Sequence, residues 1–577
     1  MPVAFTISPQ RNESANPFVR EDFGVANSQD EQTLGLAYKQ QGRWGDAAQA
    51  FERAIAGDPD SAPSYFELAD LSQTLGQPEA AIKLYLRTIN LDAGNTEAFR
   101  RLGELLYERQ NWVGAEHCFA RVVETGHLDG DLESLLGLMN RLGIALIKQD
   151  KLDAAAAVFN EILTHAPAVG EMHSNLAYIY ERQGRLEEAL AAGLRTVELK
   201  PAYPEGHNNL GIAFRAVHLL DDARRCFAEA VTLKPDFALA QFNLGVLELM
   251  QGDFQSGWHG YEWRNRVVTQ PRRQLAAPRW NGEPIAGKTL LVHTEQGYGD
   301  TILFARFLKT ARERSQAQII LEGPTALLPL LSGIAGADQV VRYGTSLPAF
   351  DAEIALPSLP GTLDIELSDL PLAVSYLKVP EASRIAWRER MQSLAAADGP
   401  PDCAEPMQIG PLRVGPLRVG IVWTGNPGQE LNVIRSCSPS HFAPLAAIPG
   451  INWYSLQKEA GEQELQAAWP EGSRITALGP ALQNFADTAG AIESLDLVIS
   501  VDTAVAHLAG ALGQTTWTLL SHTPDWRWQL DRADSAWYPT MRLFRQPRWG
   551  DWPAVFESVA TALREFVAAH AHPNGRS

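Results

Sequence analysis

At 577 residues the chain is too long for one hydrophobic core and predicts about three or four domains. With 45% apolar and 20% charged residues it has an ordinary globular composition, and its net charge of −19 argues against a generic nucleic-acid-binding role, which needs a basic face. The sequence has neither a basic-then-apolar leader nor an uncharged apolar run of about 18 residues, which predicts a cytoplasmic protein with no membrane span or membrane partner.

In chain order, residues 1–27 are polar and read as a loose tail. A repeat array spans 28–268. Leu-Gly or Leu-Ala pairs recur with their small residue at Gly35, Ala69, Gly103, Gly143, Ala177, Gly211 and Gly245. The spacing is 34 residues except for one interval of 40. Twelve residues after the first six of these comes alanine, as at Ala47, Ala81 and Ala115, and an aromatic such as Phe51, Tyr85 or Phe119 usually stands four later. This is the tetratricopeptide pattern, a stack of antiparallel helix pairs. The long interval predicts a six-residue insertion near Glu124–Leu135. Stacked pairs form a superhelix with a concave groove suited to an extended segment of another protein. Asn175, Asn208, Asn209 and Asn243 fall near equivalent places in successive units, where side-chain amides can hold a peptide backbone or simply face solvent. Trp258, Tyr261 and Trp263 are dense enough to predict an apolar seal between the array and the next domain.

After a proline-containing loop (270–284), strands and helices alternate, which predicts parallel sheets. A first lobe spans 285–385, with strands in KTLLVHTE, QIILEG, QVVRYG and FDAEIAL. Residues 386–416 read as a helix followed by a linker that carries the near-duplication GPLRVGPLRVG. A second lobe spans 417–550, with strands in LRVGIVWTGN, NWYSLQK, ITALG, LDLVISV and TTWTLL. The remaining residues, 551–577, hold a terminal helix with room to pack across both lobes. The predicted fold is α plus α/β, an all-α repeat superhelix leading into two doubly wound lobes with a cleft between them. The scattered cysteines Cys118, Cys226, Cys403 and Cys437 show no metal spacing and read as thiols of a reducing compartment.

Ligands of open α/β sheets collect outside the carboxyl ends of the strands. Asp502 and Thr503 come directly after such a strand, and Ala504 opens a helix whose free amides and positive dipole end suit a phosphate. The amides of Thr503, Ala504 and Val505 are the expected phosphate contacts. Asp502 repels an anion and instead caps the helix or orients a neighbour. Thr424 and Asn426 stand at the same kind of end of another strand, Arg435 or Lys458 can supply positive charge, and His507 lies one helical turn beyond Thr503. Trp526, Arg527 and Trp528 form an aromatic-basic knot that either lines a pocket or packs the terminal segment.

Together HTEQGYGDTILFARFL, VGIVWTGNP, IRSCSP, YSLQK, NFADTAGAI, DLVISVDTAVAHLAGALG and SHTPDWRWQLDRADSAWYPTMRLFRQP resemble the bacterial tetratricopeptide-fused glycosyltransferases. Their catalytic half is similar to the heptosyltransferase group of GT-B enzymes. The resemblance covers roughly residues 28–565. It implies a nucleotide-sugar donor as substrate with no further cofactor, and Asp300 as the base, set in a turn bent by Gly297 and Gly299. It implies Arg435 as the cation on the leaving phosphate, and a protein acceptor held by the array. Some members of the group glycosylate flagellin on serine or threonine. No Asp-x-Asp or HExxH motif stands in a suitable loop, so metal-independent transfer is expected, and direct displacement would invert the anomeric centre. Two alternatives stay open: a non-catalytic scaffold with a degenerate transferase half, or a transferase for a glycan or lipid acceptor.

Overall fold

The computed structural model describes residues 27–125, 132–267, 275–371, 373–398, 416–426, 428, 432–458 and 461–571. The expected tail therefore lies outside the described residues, except Asn27. The chain divides into two compact units, Met1–Met172 and His173–Ser577.

Among the described residues the first unit holds four helix pairs: Ser28–Gln40 with Trp44–Gly57, Ala62–Thr74 with Pro78–Leu91, Thr96–Glu108 with Trp112–Thr125, and Leu132–Ile147 with Leu152–His165. Local chemistry sets the ends of these helices. Asn27 and Asn95 cap two N-termini through their side chains, and prolines occupy first-turn positions in two more. Gly42 and Gly76, with φ of +71° and +70°, turn the chain within their pairs. The repeated small residue has a steric reason. A methyl group on Gly35 would stand 2.6 Å from the ring of Phe51, and one on Gly143 would stand 2.5 Å from Phe159. The aromatic sixteen residues later packs straight onto the backbone of its partner helix. The insertion expected near Glu124–Leu135 lies partly on residues 126–131, outside the described residues, and the helix that follows, Leu132–Ile147, has 16 residues where the first helices of the three preceding pairs have 13.

The second unit opens within the helix Gly170–Arg182, continues through Leu186–Leu199, Pro204–Ala216, Leu220–Leu233 and Ala238–Met250, and closes the repeats with Phe254–Tyr261. In the last pair backbone meets backbone, since a methyl on Gly245 would meet Gly260 at 2.5 Å. Trp258 and Tyr261 are buried there against Phe304 and Trp526, and the Trp258 indole N–H donates to the Ile365 carbonyl at 2.9 Å. Trp263 is only half-buried, under Arg266.

Among the described residues the α/β half contains two all-parallel sheets. The first is built of β1 (Thr289–His293), β2 (Gln318–Gly323), β3 (Gln339–Arg342) and β4 (Ala352–Ala355), in the order β3-β2-β1-β4. The second is built of β5 (Leu417–Val422), β6 (Ile451–Ser455), β7 (Ile475–Ala477), β8 (Leu497–Val501), β9 (Thr516–Leu520) and β10 (Met541–Arg545), in the order β7-β6-β5-β8-β9-β10. Strand order reverses between β1 and β4 and again between β5 and β8. Such switch points open a crevice at the carboxyl ends of the strands. Alternation fits a sheet covered on both faces: Val419, Ile421, Leu497 and Ile499 enter one core, whereas Val422 and Val498 enter the other.

The helix expected at the start of 386–416 is Glu381–Asp398, whose Trp387 is buried over Gly490 of the second lobe; residues 399–415, with most of the near-duplication, are outside the described residues. Two expectations need correction. The terminal helix Trp552–Ala571 does not bridge the lobes. Its Val555, Phe556, Val559 and Leu563 join Phe442, Trp517 and Phe544 in a core built of second-lobe residues alone. Finally, Met541–Arg545 forms an edge strand that no apolar run announced. Cys118 and Cys437 are buried and Cys226 half-buried, all as free thiols, while Cys403 lies outside the described residues. Among the described residues no helix is long and apolar enough to cross a membrane.

Candidate functional site

The segments after β1, β5 and β8 converge on one cavity of about 580 Å³ in the second unit. Its walls include Gly297, Gly299, Asp300, Asn426, Arg435, Asp502, Thr503, Ala504 and His507. A second cavity, of about 370 Å³, borders Trp258, His259, Glu262 and Arg279 and holds none of the predicted site residues.

Two helix N-termini meet at the larger cavity. Tyr298–Ala305 starts after β1 and Ala504–Ala511 after β8. Gly299 permits the approach, since a methyl there would come within 2.9 Å of the His507 ring. Thr503 takes the N-cap position without a side-chain cap bond to the helix, because its hydroxyl pairs with the Ser500 hydroxyl at 3.1 Å. The first amides of this helix have no partner within the helix itself.

Asp300 works in two directions. Its Oδ2 accepts the Gly297 N–H at 3.1 Å, so it does cap its own helix, while Oδ1 accepts from Arg527. Burial pushes the Asp300 carboxyl up from its ordinary value, against the opposing pull of Arg527. Arg527 is buried, donates also to Asp525 at 2.7 Å, and lies over the rings of Trp526 and Phe304. Burial, with Asp525 nearby, raises Asp502 to about 6, although Arg435 and Arg527 draw it down. His507 goes the other way: burial and the cations Arg527, Arg306 and Arg435 push it well below its ordinary value, so it is neutral near pH 7. Its Nδ1 pairs with the Tyr538 hydroxyl at 3.0 Å and its ring stacks on Trp528. Arg435 reaches the wall across Gly425, where a methyl would stand 2.9 Å from its guanidinium. The cavity thus gathers four carboxylates, two guanidinium groups and two helix N-termini, a set suited to an anion beside a reacting hydroxyl.

Other predicted residues stand elsewhere. Thr424 is not on the wall. Its hydroxyl pairs with the Ser436 hydroxyl at 2.9 Å and accepts from Asn432 at 3.1 Å, which ties the β5 loop to the short helix bearing Arg435. Lys458 is exposed beyond β6 and does not line the cavity. In the repeats, Asn208 and Asn243 are buried and bonded to each other at 2.9 Å, and Asn209 donates to Ser174 at 3.0 Å. Those three amides bind neighbouring units together rather than standing open in a groove; Asn175 is half-buried.

Sequence reasoning gave Arg527 no role at Asp300, and Asp525, Glu295 and Tyr343 drew no notice, although all four line the cavity. The aromatic-basic knot was the available signal for Arg527. The array also borders this end of the site: His218 stacks on His522 at 4.3 Å, and burial lowers Arg215 between the charges of Glu181 and Asp525.

Comparison with known proteins matches residues 33–95, 66–126, 140–204 and 208–256 to the tetratricopeptide repeat family model. The helical half is therefore a tetratricopeptide repeat array. A curated relative, Protein FlbA of Caulobacter vibrioides, is 29% identical over 353 residues, covering 56% of this chain and 54% of that protein. The chain thus spans about half the length of this relative. Among solved structures, YrrB, described as a TPR protein with an unusual peptide-binding site, is 21% identical over 33% of this chain and 96% of its own, with a TM-score of 0.29. The pilF protein of Pseudomonas aeruginosa is 19% identical over 37% and 95%, with a TM-score of 0.27.

Proposed function

We propose that the protein is a metal-independent, inverting glycosyltransferase of GT-B type, which moves a sugar from a nucleotide donor to a hydroxyl of a protein acceptor recruited by the repeats. The observation that carries this reading is the convergence of Asp300, the helix start at Thr503–Ala504, Arg435 and Arg527 on one cavity at two switch points. In this reading Asp300 takes the proton of the attacking hydroxyl. A raised carboxyl is a stronger base than an ordinary one, which suits that task. The donor phosphate rests on the amides of Ala504 and Val505, and Arg435 compensates the charge that grows as the sugar leaves. Neutral His507 packs beside Asp502 and orients the helix start through Tyr538 without contributing charge. Flagellin is the first acceptor to test, since members of the group that the sequence resembles modify it.

A panel of nucleotide sugars, read by thermal shift and then by label transfer to flagellin, tests the proposal. One donor should raise the unfolding midpoint by mass action and label a serine or threonine hydroxyl. No shift across the panel, or a donor that binds with no transfer to any protein acceptor, overturns it.

A further inference from the structure

The least expected contact in the cavity joins Arg527 to Asp300 across 227 residues of chain. It holds the same Asp300 oxygen, Oδ1, that is not used to cap Gly297. A base held this way is a weaker acceptor for a hydroxyl proton through that oxygen, because the guanidinium occupies one of its two lone pairs and its charge holds the basicity down. Arg527 is also positioned for a second task. It is buried on the cavity wall beside Arg435, Asp525 anchors its other side at 2.7 Å, and its buried Nε has no hydrogen-bond partner among the described residues. A phosphate brings several strong acceptor oxygens to such a donor, and bidentate guanidinium–phosphate pairing competes well with a single carboxylate oxygen.

We propose that Arg527 is a positioning residue shared between Asp300 and the donor: a nucleotide phosphate in the cavity takes over the guanidinium contact and leaves Asp300 Oδ1 open to the acceptor hydroxyl. Donor binding and readiness of the base then become one event, and the donor must precede the acceptor. Asp525 keeps the guanidinium in place throughout, and Gly297 keeps the carboxylate in place, so neither group has to move far. The inference rests on the transferase reading but does not require turnover to be measured.

Competition of this kind has an unusual signature, in which removing the proposed base tightens a ligand. Asp300→Asn retains an oxygen for the Gly297 N–H but loses the charge that holds Arg527. Calorimetric titration of the full-length protein with cytidine monophosphate, uridine diphosphate and guanosine diphosphate reads the effect directly. For the nucleotide that binds, Asp300→Asn should tighten the dissociation constant about tenfold and Arg527→Gln should weaken it about tenfold. In the double variant the Asp300→Asn gain should disappear, giving a coupling between the two sites. Asp502→Asn, which removes a nearby carboxylate that does not bond to Arg527, should give a smaller gain that is the same with either residue at 527. This comparison of Asp300→Asn with Asp502→Asn also stands alone if Arg527→Gln does not fold. Equal tightening by Asp300→Asn in both backgrounds, or by both asparagine variants, reduces the effect to general charge and overturns the inference. Unchanged or weaker binding by Asp300→Asn overturns it as well. Binding of none of the nucleotides by any variant overturns the transferase reading, and this inference with it.

Discussion

Two sets of buried and half-buried polar side chains lie in the second unit, and they are built on opposite principles. In the repeats, Asn208, Asn209 and Asn243 pass hydrogen bonds to one another and to Ser174, uncharged and inside the helix stack. At the sheet ends, Asp300, Asp502, His507 and Arg527 crowd charge or titratable groups around a cavity, and burial moves each of the first three away from its ordinary titration range. Buried polar groups that satisfy each other are architecture. Buried charges that face a cavity await a partner of complementary charge. On the proposed reading the contrast gives stability to the asparagines and chemistry to the carboxylates.

The largest effect should come from Asp300→Asn. General-base catalysis is worth about 10²–10⁴-fold, so label transfer should fall by about that factor while nucleotide binding survives; full activity would strip Asp300 of the role. Arg435→Ala comes next. Losing a cation on the leaving phosphate should reduce turnover by about 10²-fold and weaken donor binding together, and unchanged kinetics would move the phosphate contact elsewhere. Asp502→Asn sharpens the electrostatic side. Its folded carboxyl titrates near 6, above the ordinary 3.8, so the proton favours the folded state. Below pH 4 the group is protonated folded or unfolded and costs nothing. The cost grows as pH rises from about 4 to 6 and is complete above 6, about 3 kcal/mol at 1.36 kcal/mol per pH unit. The asparagine variant should melt higher than the parent above pH 6 and alike near pH 4; a constant difference would contradict the assignment. The smallest effect on function, and a real one on stability, should come from Asn208→Ala. Stranding its buried partners should cost about 1–3 kcal/mol, read as a lower unfolding midpoint, with transfer to flagellin little changed. If that variant kept its stability and lost the acceptor, the division between the two sets would break.

The repeats were legible because one steric requirement recurs. An aromatic stands sixteen positions after the small residue in six of seven units, packed against Gly35, Gly103, Gly143 and Gly211, and five of the six intervals share one spacing, which leaves little ambiguity. The central strands were legible as apolar runs. Strand β10 was not, because Arg542 and Arg545 interrupt it; Arg542 reaches over Trp517 and Phe544 and so sits comfortably at an edge. Thr424 illustrates the opposite limit. A hydroxyl at a strand end reads as a ligand contact, yet Ser436 and Asn432 use it to fasten the loop. Arg527 marks where reading a single sequence stops, since its partner lies 227 positions away and no spacing rule joins them. Asn208 and Asn243 were visible as a ladder, but only burial tells a ladder that binds peptide from one that binds itself.

The most direct test is a crystal structure of the protein with the nucleotide that binds it. The phosphate should lie within hydrogen-bonding distance of the Ala504 and Val505 amides and of Arg435, with the Asp300 carboxylate across the cavity from it. A nucleotide seated elsewhere, or an Asp300 side chain turned out of the cavity, would contradict the assignment of this site.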